Sequence, residues 1–127
     1  MSARNFISSL ILAGAALLGT NAIAAEARIA VAADGPKAEA TVSATAGRAP
    51  NILIFDAKGR LLSSQANPMA NASSGAGPAL ARWLADKQVT LLIAGRVGDN
   101  MAQELNKLKI RSIAASGPAD KAVKAAK

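Results

Sequence analysis

The stretch VTLLIAGRVGDNMAQELNKLKIRSIA, residues 89–114, decides the fold of this 127-residue chain. Its first part, Val89 to Ala94, is an apolar run next to a glycine loop, which predicts a buried strand. After the loop at 95–98 the apolar residues recur at helical spacing. The residues on that helical face are Met101, Leu105 and Leu108. Ile110 to Ala114 then predicts another strand, so the stretch predicts two parallel strands with a helix packed across them.

The same alternation of strands and helices extends towards the N-terminus. Turn residues after position 33 and position 55 separate short apolar runs, and the turn at Asp56–Gly59 predicts a hairpin. The predicted elements are strands at Arg28–Ala33, Asn51–Phe55 and Arg60–Gln65, a helix at Gly75–Lys87 with Pro78 in its first turn, and a short C-terminal helix after Pro118. This order predicts an α/β fold with a mixed, mostly parallel sheet flanked by helices.

The first 24 residues have the three regions of a signal peptide in order. Arg4 gives a positive start, Phe6 to Leu18 is uncharged and largely apolar, and Ala22-Ile23-Ala24 matches the cleavage pattern. The apolar run is shorter than the roughly 20 residues that span a bilayer. We therefore expect a periplasmic or secreted protein, with one domain over residues 25–127 and no stable membrane anchor after cleavage.

The composition excludes several classes of function. The chain has no Cys and no His, so disulfides, thiolate metal sites and the usual general base near neutral pH are absent. An enzyme is not expected, nor a metal site made of side chains. A net charge of +7 favours anionic partners. Nucleic acid is not expected, because two Phe and one Trp offer little surface for base stacking. The basic residues are scattered along the sequence rather than clustered.

Two glycine loops, Gly75–Gly77 and Gly95–Gly98, lead directly into predicted helices. Unpaired backbone N–H groups and the positive end of the helix dipole favour an anion at such places. Arg48 and Arg96 offer charge and forked donors. The alternative is that the glycines serve only the turns and that Arg48 pairs with an acidic turn residue, Asp34 or Asp56.

The sequence gives weaker support to two other kinds of site, a copper site made of methionines and a carboxylate cluster of the nuclease type. Met69 and Met101 are thioethers of the kind that hold Cu(I), but Met101 lies on the apolar face of its helix, where a core role is expected. A nuclease-like cluster of carboxylates would need the few aspartates to converge around paired metal ions. Those aspartates are Asp34, Asp56 and Asp99, which also suit ordinary turns and a helix cap.

Three segments carry a resemblance to a known family. They are IAVAADG at 29–35, VSATAGRAPNILIFD at 42–56, and SSGAGPALARWLADKQVTLLIAGRVGDNMAQELNKLKIRS at 73–112. In this order they resemble the dinitrogenase iron–molybdenum cofactor biosynthesis domain, which NifX-type carriers of nitrogenase cofactor precursors share. The resemblance extends over residues 28–124.

The resemblance implies a ribonuclease H-like three-layer fold with a five-stranded sheet. It also implies non-catalytic binding of a metal–sulfur cluster or another anion that contains molybdenum, iron or copper. The ligand-binding residues that it implies are Gly47, Arg48, Ser74, Gly75, Gly77, Gly95, Arg96 and Gly98.

The chain departs from the family pattern at two positions, because Thr45 and Ser74 replace histidines that many members have. Export is a further departure, since nitrogenase assembly is cytoplasmic. Two functions are therefore expected from the sequence. The first is a periplasmic carrier of an anionic metal-containing species. The alternative is a protein-interaction module with a decayed ligand site, which assists an exported metalloprotein.

Overall fold

The structure, a computed structural model, describes residues 27–126. The strands are β1 (Arg28–Ala33), β2 (Asn51–Asp56), β3 (Leu61–Ala66), β4 (Leu91–Ala94) and β5 (Arg111–Ala114). The helices are α1 (Ala76–Asp86), α2 (Asp99–Lys107) and α3 (Ala119–Ala126). The expected signal peptide lies outside the described residues. Between residues 27 and 126, no helix combines the length and hydropathy of a membrane span.

The five strands form one mixed sheet in the order β3-β2-β1-β4-β5. The hairpin strands β2 and β3 are antiparallel, and β2 is also antiparallel to β1. The parallel pairings join β1 to β4 and β4 to β5. The predicted mixed five-stranded sheet is thus confirmed, with its parallel part at β1, β4 and β5.

Each face of the sheet has its own hydrophobic core, because successive strand residues point to opposite faces. On one face Ile52 and Leu92 pack with Leu80 and Leu84 of α1 and with residues of α2. On the other face the strands pack with Val123 and other residues of α3, and the large strand side chains there are Val31, Leu53, Phe55 and Ile93. Each fully buried side chain of this size contributes about 1.5–3 kcal/mol. The result is the expected three-layer arrangement.

The two ends of the sheet, at the starts and at the ends of its parallel strands, differ in the loops and helix termini that lie there. Because β1, β4 and β5 run in one direction, they all end at one edge, and α1 and α2 begin there. We call this the cleft end. The opposite edge, the strand-start end, carries the β2–β3 turn and the C-termini of α1 and α2.

The β2–β3 turn is built around Asp56. Its carboxylate accepts hydrogen bonds of 2.9 Å from the backbone N–H groups of Lys58 and Arg60, and from Arg60 Nε. The backbone hydrogen bond from Arg60 is the main reason why the pKa of Asp56 lies below its ordinary value. Asp56 therefore pairs with Arg60 and not with Arg48.

Candidate functional site

A cleft of about 350 Å³ lies at the cleft end, where three loops meet. The first loop follows β1 and is tied to the end of β4, because Ala46 N–H donates to Arg96 O at 3.0 Å and Gly95 N–H donates to Ser43 O at 2.8 Å. The other two loops precede α1 and α2. The lining residues are Thr45, Ala46, Gly47, Arg48, Gly75, Ala76, Gly77, Pro78, Arg96, Gly98, Asp99, Asn100 and Met101.

Both helices present uncapped N-termini to this cleft. The N-cap residues are Gly75 for α1 and Gly98 for α2, and neither helix has a side-chain capping hydrogen bond. The predicted cap at Asp99 is wrong, because Asp99 is already the first residue of α2. The first-turn N–H groups are thus left without a side-chain acceptor, and the positive ends of both helix dipoles face the same space.

The charged side chains of the cleft have different roles. Arg48 Nη1 donates to the carbonyls of Ala70, at 3.3 Å, and Ala72, so it holds the loop before α1. Arg96 is exposed and, among residues 27–126, its guanidinium has no hydrogen-bond or ion-pair partner. Asp99 also lines the cleft, which leaves one net positive side-chain charge there.

Two of the glycines assigned to ligand binding have packing roles. A Cβ on Gly95 would lie 2.8 Å from Ala44 O and 2.9 Å from Ala44 Cα, so only glycine lets this loop approach the loop after β1. A Cβ on Gly77 would lie 2.7 Å from Met101 Cβ, so Gly77 sets the close packing of α1 on α2. Gly98, by contrast, faces open space.

The structure brings most of the predicted site residues together. Six of the eight line the cleft, and they are Gly47, Arg48, Gly75, Gly77, Arg96 and Gly98. Ser74 and Gly95 lie outside the lining. Ligand binding by any of these residues stays a prediction.

Asn67 is a site residue that the sequence did not reveal. It is only 6% exposed, and its Nδ2 donates to Gly47 O at 3.2 Å and Ala49 O at 2.9 Å. Its Oδ1 accepts from Met69 N–H at 2.8 Å. Asn67 therefore fixes the backbone on both sides of Arg48. In the sequence it precedes a proline in a polar loop, a pattern equally typical of a plain turn.

The alternative metal chemistries are not supported by the geometry. Within the described part of the chain, no group of three or more Asp, Glu, His or Cys residues is placed to hold a metal ion. Asp34 follows β1, whereas Asp56 pairs with the first residue of β1, so these carboxylates lie at opposite ends of the strand. Met101 is buried within the core on the α1–α2 face, and the partly buried Met69 packs against that core.

Comparisons with known proteins agree with this architecture. A family model described as "Dinitrogenase iron-molybdenum cofactor" matches residues 27–127. The apo form of the orange protein from Desulfovibrio gigas is similar in structure, with a TM-score of 0.71 and 30% identity over 76% of this chain and 83% of that chain.

Two further solved structures share the fold. A putative NifB protein from Thermotoga has a TM-score of 0.66 and 29% identity, over 78% of this chain and 85% of that chain. A putative dinitrogenase from Methanocaldococcus jannaschii has a TM-score of 0.54 and 15% identity, over 76% of this chain and 83% of that chain. No curated protein has a significant sequence match to this chain.

Proposed function

The chain belongs to the dinitrogenase iron–molybdenum cofactor family, and from this premise we propose that it is a non-catalytic carrier of an anionic metal-containing species. The observation that carries the proposal is the cleft itself. Two helix N-termini without side-chain caps line the cleft, together with Gly47 and Arg96. Backbone N–H groups in such an arrangement are donors for anionic oxygen or sulfur.

The donor set favours a cargo that brings its own metal ligands. Backbone N–H and guanidinium groups do not coordinate metal ions, and the cleft lining contains no Cys or His. A bare cation would also meet the positive charge of Arg96. A metal–sulfur cluster or an oxo- or thiometallate suits these donors, because its outer atoms are acceptors with negative charge. The cleft volume corresponds to roughly ten water molecules, which leaves room for several heavy atoms.

The location in the cell is part of the proposal. The charged start, apolar run and cleavage pattern of the first 24 residues support export. The carrier would then act in the periplasm or outside the cell, and its partner would be an exported metalloprotein.

One observation favours the alternative, a protein-interaction module with a decayed ligand site. Thr45 lines the cleft where many family members have a histidine, and Ser74, at the second such position, lies outside the lining. If these histidines were essential to binding in the family, the cleft of this protein would no longer bind the family's ligand.

The proposal is tested by titrating the protein with tetrathiomolybdate and following its absorption bands. Arg96→Ala removes a cleft charge that has no other partner within residues 27–126, so we expect a loss of affinity on the order of tenfold, the scale of a charge-assisted hydrogen bond. Arg111→Ala is the matched control, because it removes an exposed charge at the opposite end. Arg48→Ala should also weaken binding, and it should loosen the loop before α1.

The outcome that contradicts the site is equal affinity of the Arg96→Ala and Arg111→Ala variants. If the wild-type protein does not bind tetrathiomolybdate at all, the interaction module becomes the better account.

A further inference from the structure

The fold gathers most of the positive charge at the strand-start end, although the sequence scatters it. Of thirteen basic residues between 27 and 126, seven lie at this end, and only two of the seven acidic residues accompany them. The basic residues are Arg28, Lys58, Arg60, Lys87, Lys107, Lys109 and Arg111, and the acidic ones are Asp56 and Asp86. We call this set of nine residues the basic pole. It has a net charge of +5, against +1 for the rest of the described chain.

Five of the seven basic side chains are exposed, and two are partly buried in local contacts. Arg28 Nη1 donates to Lys87 O at 3.3 Å, and Lys87 Nζ lies 5.2 Å from the Trp83 ring centroid. The exposed ones are Lys58, Arg60, Lys107, Lys109 and Arg111. Arg60 is paired with Asp56, and the other four form no ion pair within residues 27–126.

Fold stability explains only part of this charge. A lysine in the last turn of a helix or just after it complements the helix dipole, which accounts for Lys87 and Lys107. Lys58 lies in the hairpin turn and Arg111 at the start of β5, so neither residue is in the last turn of a helix or directly after it. These two charges have no comparable role in the fold.

Lys109 occupies a position that a glycine would fill with less strain. It follows the C-cap of α2 and has a φ of 61°, in the left-handed region that costs L-residues conformational free energy. Strained positions of this kind are enriched at functional sites. At this position the side chain adds an exposed positive charge to the basic pole.

Two exposed leucines border the basic pole. Leu61 and Leu62 are 38% and 51% exposed and directly follow Arg60. The pairing of β2 with β3 passes from Ile54↔Ser63 to Phe55↔Leu61, so a bulge leaves Leu62 without a partner on β2. Leu61 and Leu62 thus add a small exposed apolar surface beside the charges of the basic pole.

We propose that the basic pole, with Leu61 and Leu62, is a docking surface for a protein with an acidic surface. Charge complementarity indicates the sign of the partner. An anionic membrane is the weaker candidate, because peripheral binding needs apolar side chains that enter the bilayer by about 5–10 Å. Among residues 27–126 the exposed large hydrophobic residues are Leu61 and Leu62, at 38% and 51% exposure, so the protein still covers about half of each side chain.

This surface is independent of the cleft, because it lies at the other end of the sheet. A partner docked there would leave the cleft open. The proposal therefore holds or fails separately from cargo binding.

The test measures binding of the full chain to poly-L-glutamate at low and high salt, for two triple variants with equal loss of charge. One variant is Lys58→Gln, Lys107→Gln and Lys109→Gln. The matched control is Lys37→Gln, Lys121→Gln and Lys124→Gln, which are also exposed lysines but lie outside the basic pole. We expect the pole variant to bind on the order of tenfold more weakly, the control to stay within about twofold of wild type, and added salt to weaken all binding.

One single variant separates the loss of charge from a loss of stability. Lys109→Gly should leave the thermal midpoint unchanged or raise it, because glycine adopts the positive φ without strain, and it should still weaken poly-L-glutamate binding. Equal weakening by the two triple variants would overturn the proposal, since binding would then follow net charge alone. Tighter, pole-dependent binding to phosphatidylserine vesicles than to poly-L-glutamate would also overturn it, in favour of a membrane.

Discussion

At the scale of single residues, the two arginines that line the cleft differ in the contacts they make. Within residues 27–126 the Arg96 guanidinium has no hydrogen-bond or ion-pair partner, so it would be available to the proposed anion. Arg48 Nη1, in contrast, donates to the carbonyls of Ala70 and Ala72. Asn67 holds the backbone on either side of Arg48. From the sequence, Arg48 and Arg96 look alike, because only the tertiary structure shows which carbonyls surround each guanidinium.

Asn67→Ala should lower the free energy of unfolding by about 2 kcal/mol, because it removes three hydrogen bonds and leaves buried carbonyls without donors. Urea denaturation measures this loss. Asn71→Ala is the control, since Asn71 lies in the same loop but is exposed, and it should change the stability by less than about 0.5 kcal/mol. Equal effects of the two variants would show that Asn67 does not fix the cleft wall.

At the scale of elements, the sequence predicts strands and helices well and their junctions less well. β1 has the predicted limits, and β2 extends one residue further, to Asp56. β4 begins at Leu91 instead of Val89, because Gln88 turns the chain with a φ of 65° and Val89 N–H bonds to Leu84 O in the turn that ends α1. Hydrophobic periodicity reports which residues are buried, but it does not report where such a turn ends.

The glycines illustrate the same limit. A glycine between a strand and a helix can serve a turn, a close approach or a ligand, and the sequence pattern is the same in all three cases. The structure separates them, because Gly95 lies against Ala44 whereas Gly98 borders open space.

Gly95→Ala should therefore destabilise the protein by about 1–3 kcal/mol, the usual cost of overpacking, because the new methyl group would overlap backbone atoms that cannot rotate away. Thermal unfolding followed by circular dichroism measures the change. Gly98→Ala, in the same loop, should unfold within a few degrees of wild type. If both alanines are tolerated, the contact between the loop after β1 and the end of β4 is not as close as described.

At the scale of the whole molecule, the protein has two ends with different chemistry. The cleft end collects backbone donors and one net positive side-chain charge, and the strand-start end carries the basic pole. The mixed sheet and the three-layer fold could be predicted from patterning and family resemblance. The basic pole could not, because its residues come from four separate stretches of sequence that meet only once the sheet is assembled.

The central claim, that this protein carries an anionic metal-containing species, is tested most directly by elemental analysis together with an absorption spectrum. The measurement requires the protein purified without chelators from its native source. We predict a stoichiometric metal and sulfur-to-metal charge-transfer bands, which would identify the cargo. A colourless, metal-free protein that also takes up no tetrathiomolybdate would contradict the claim.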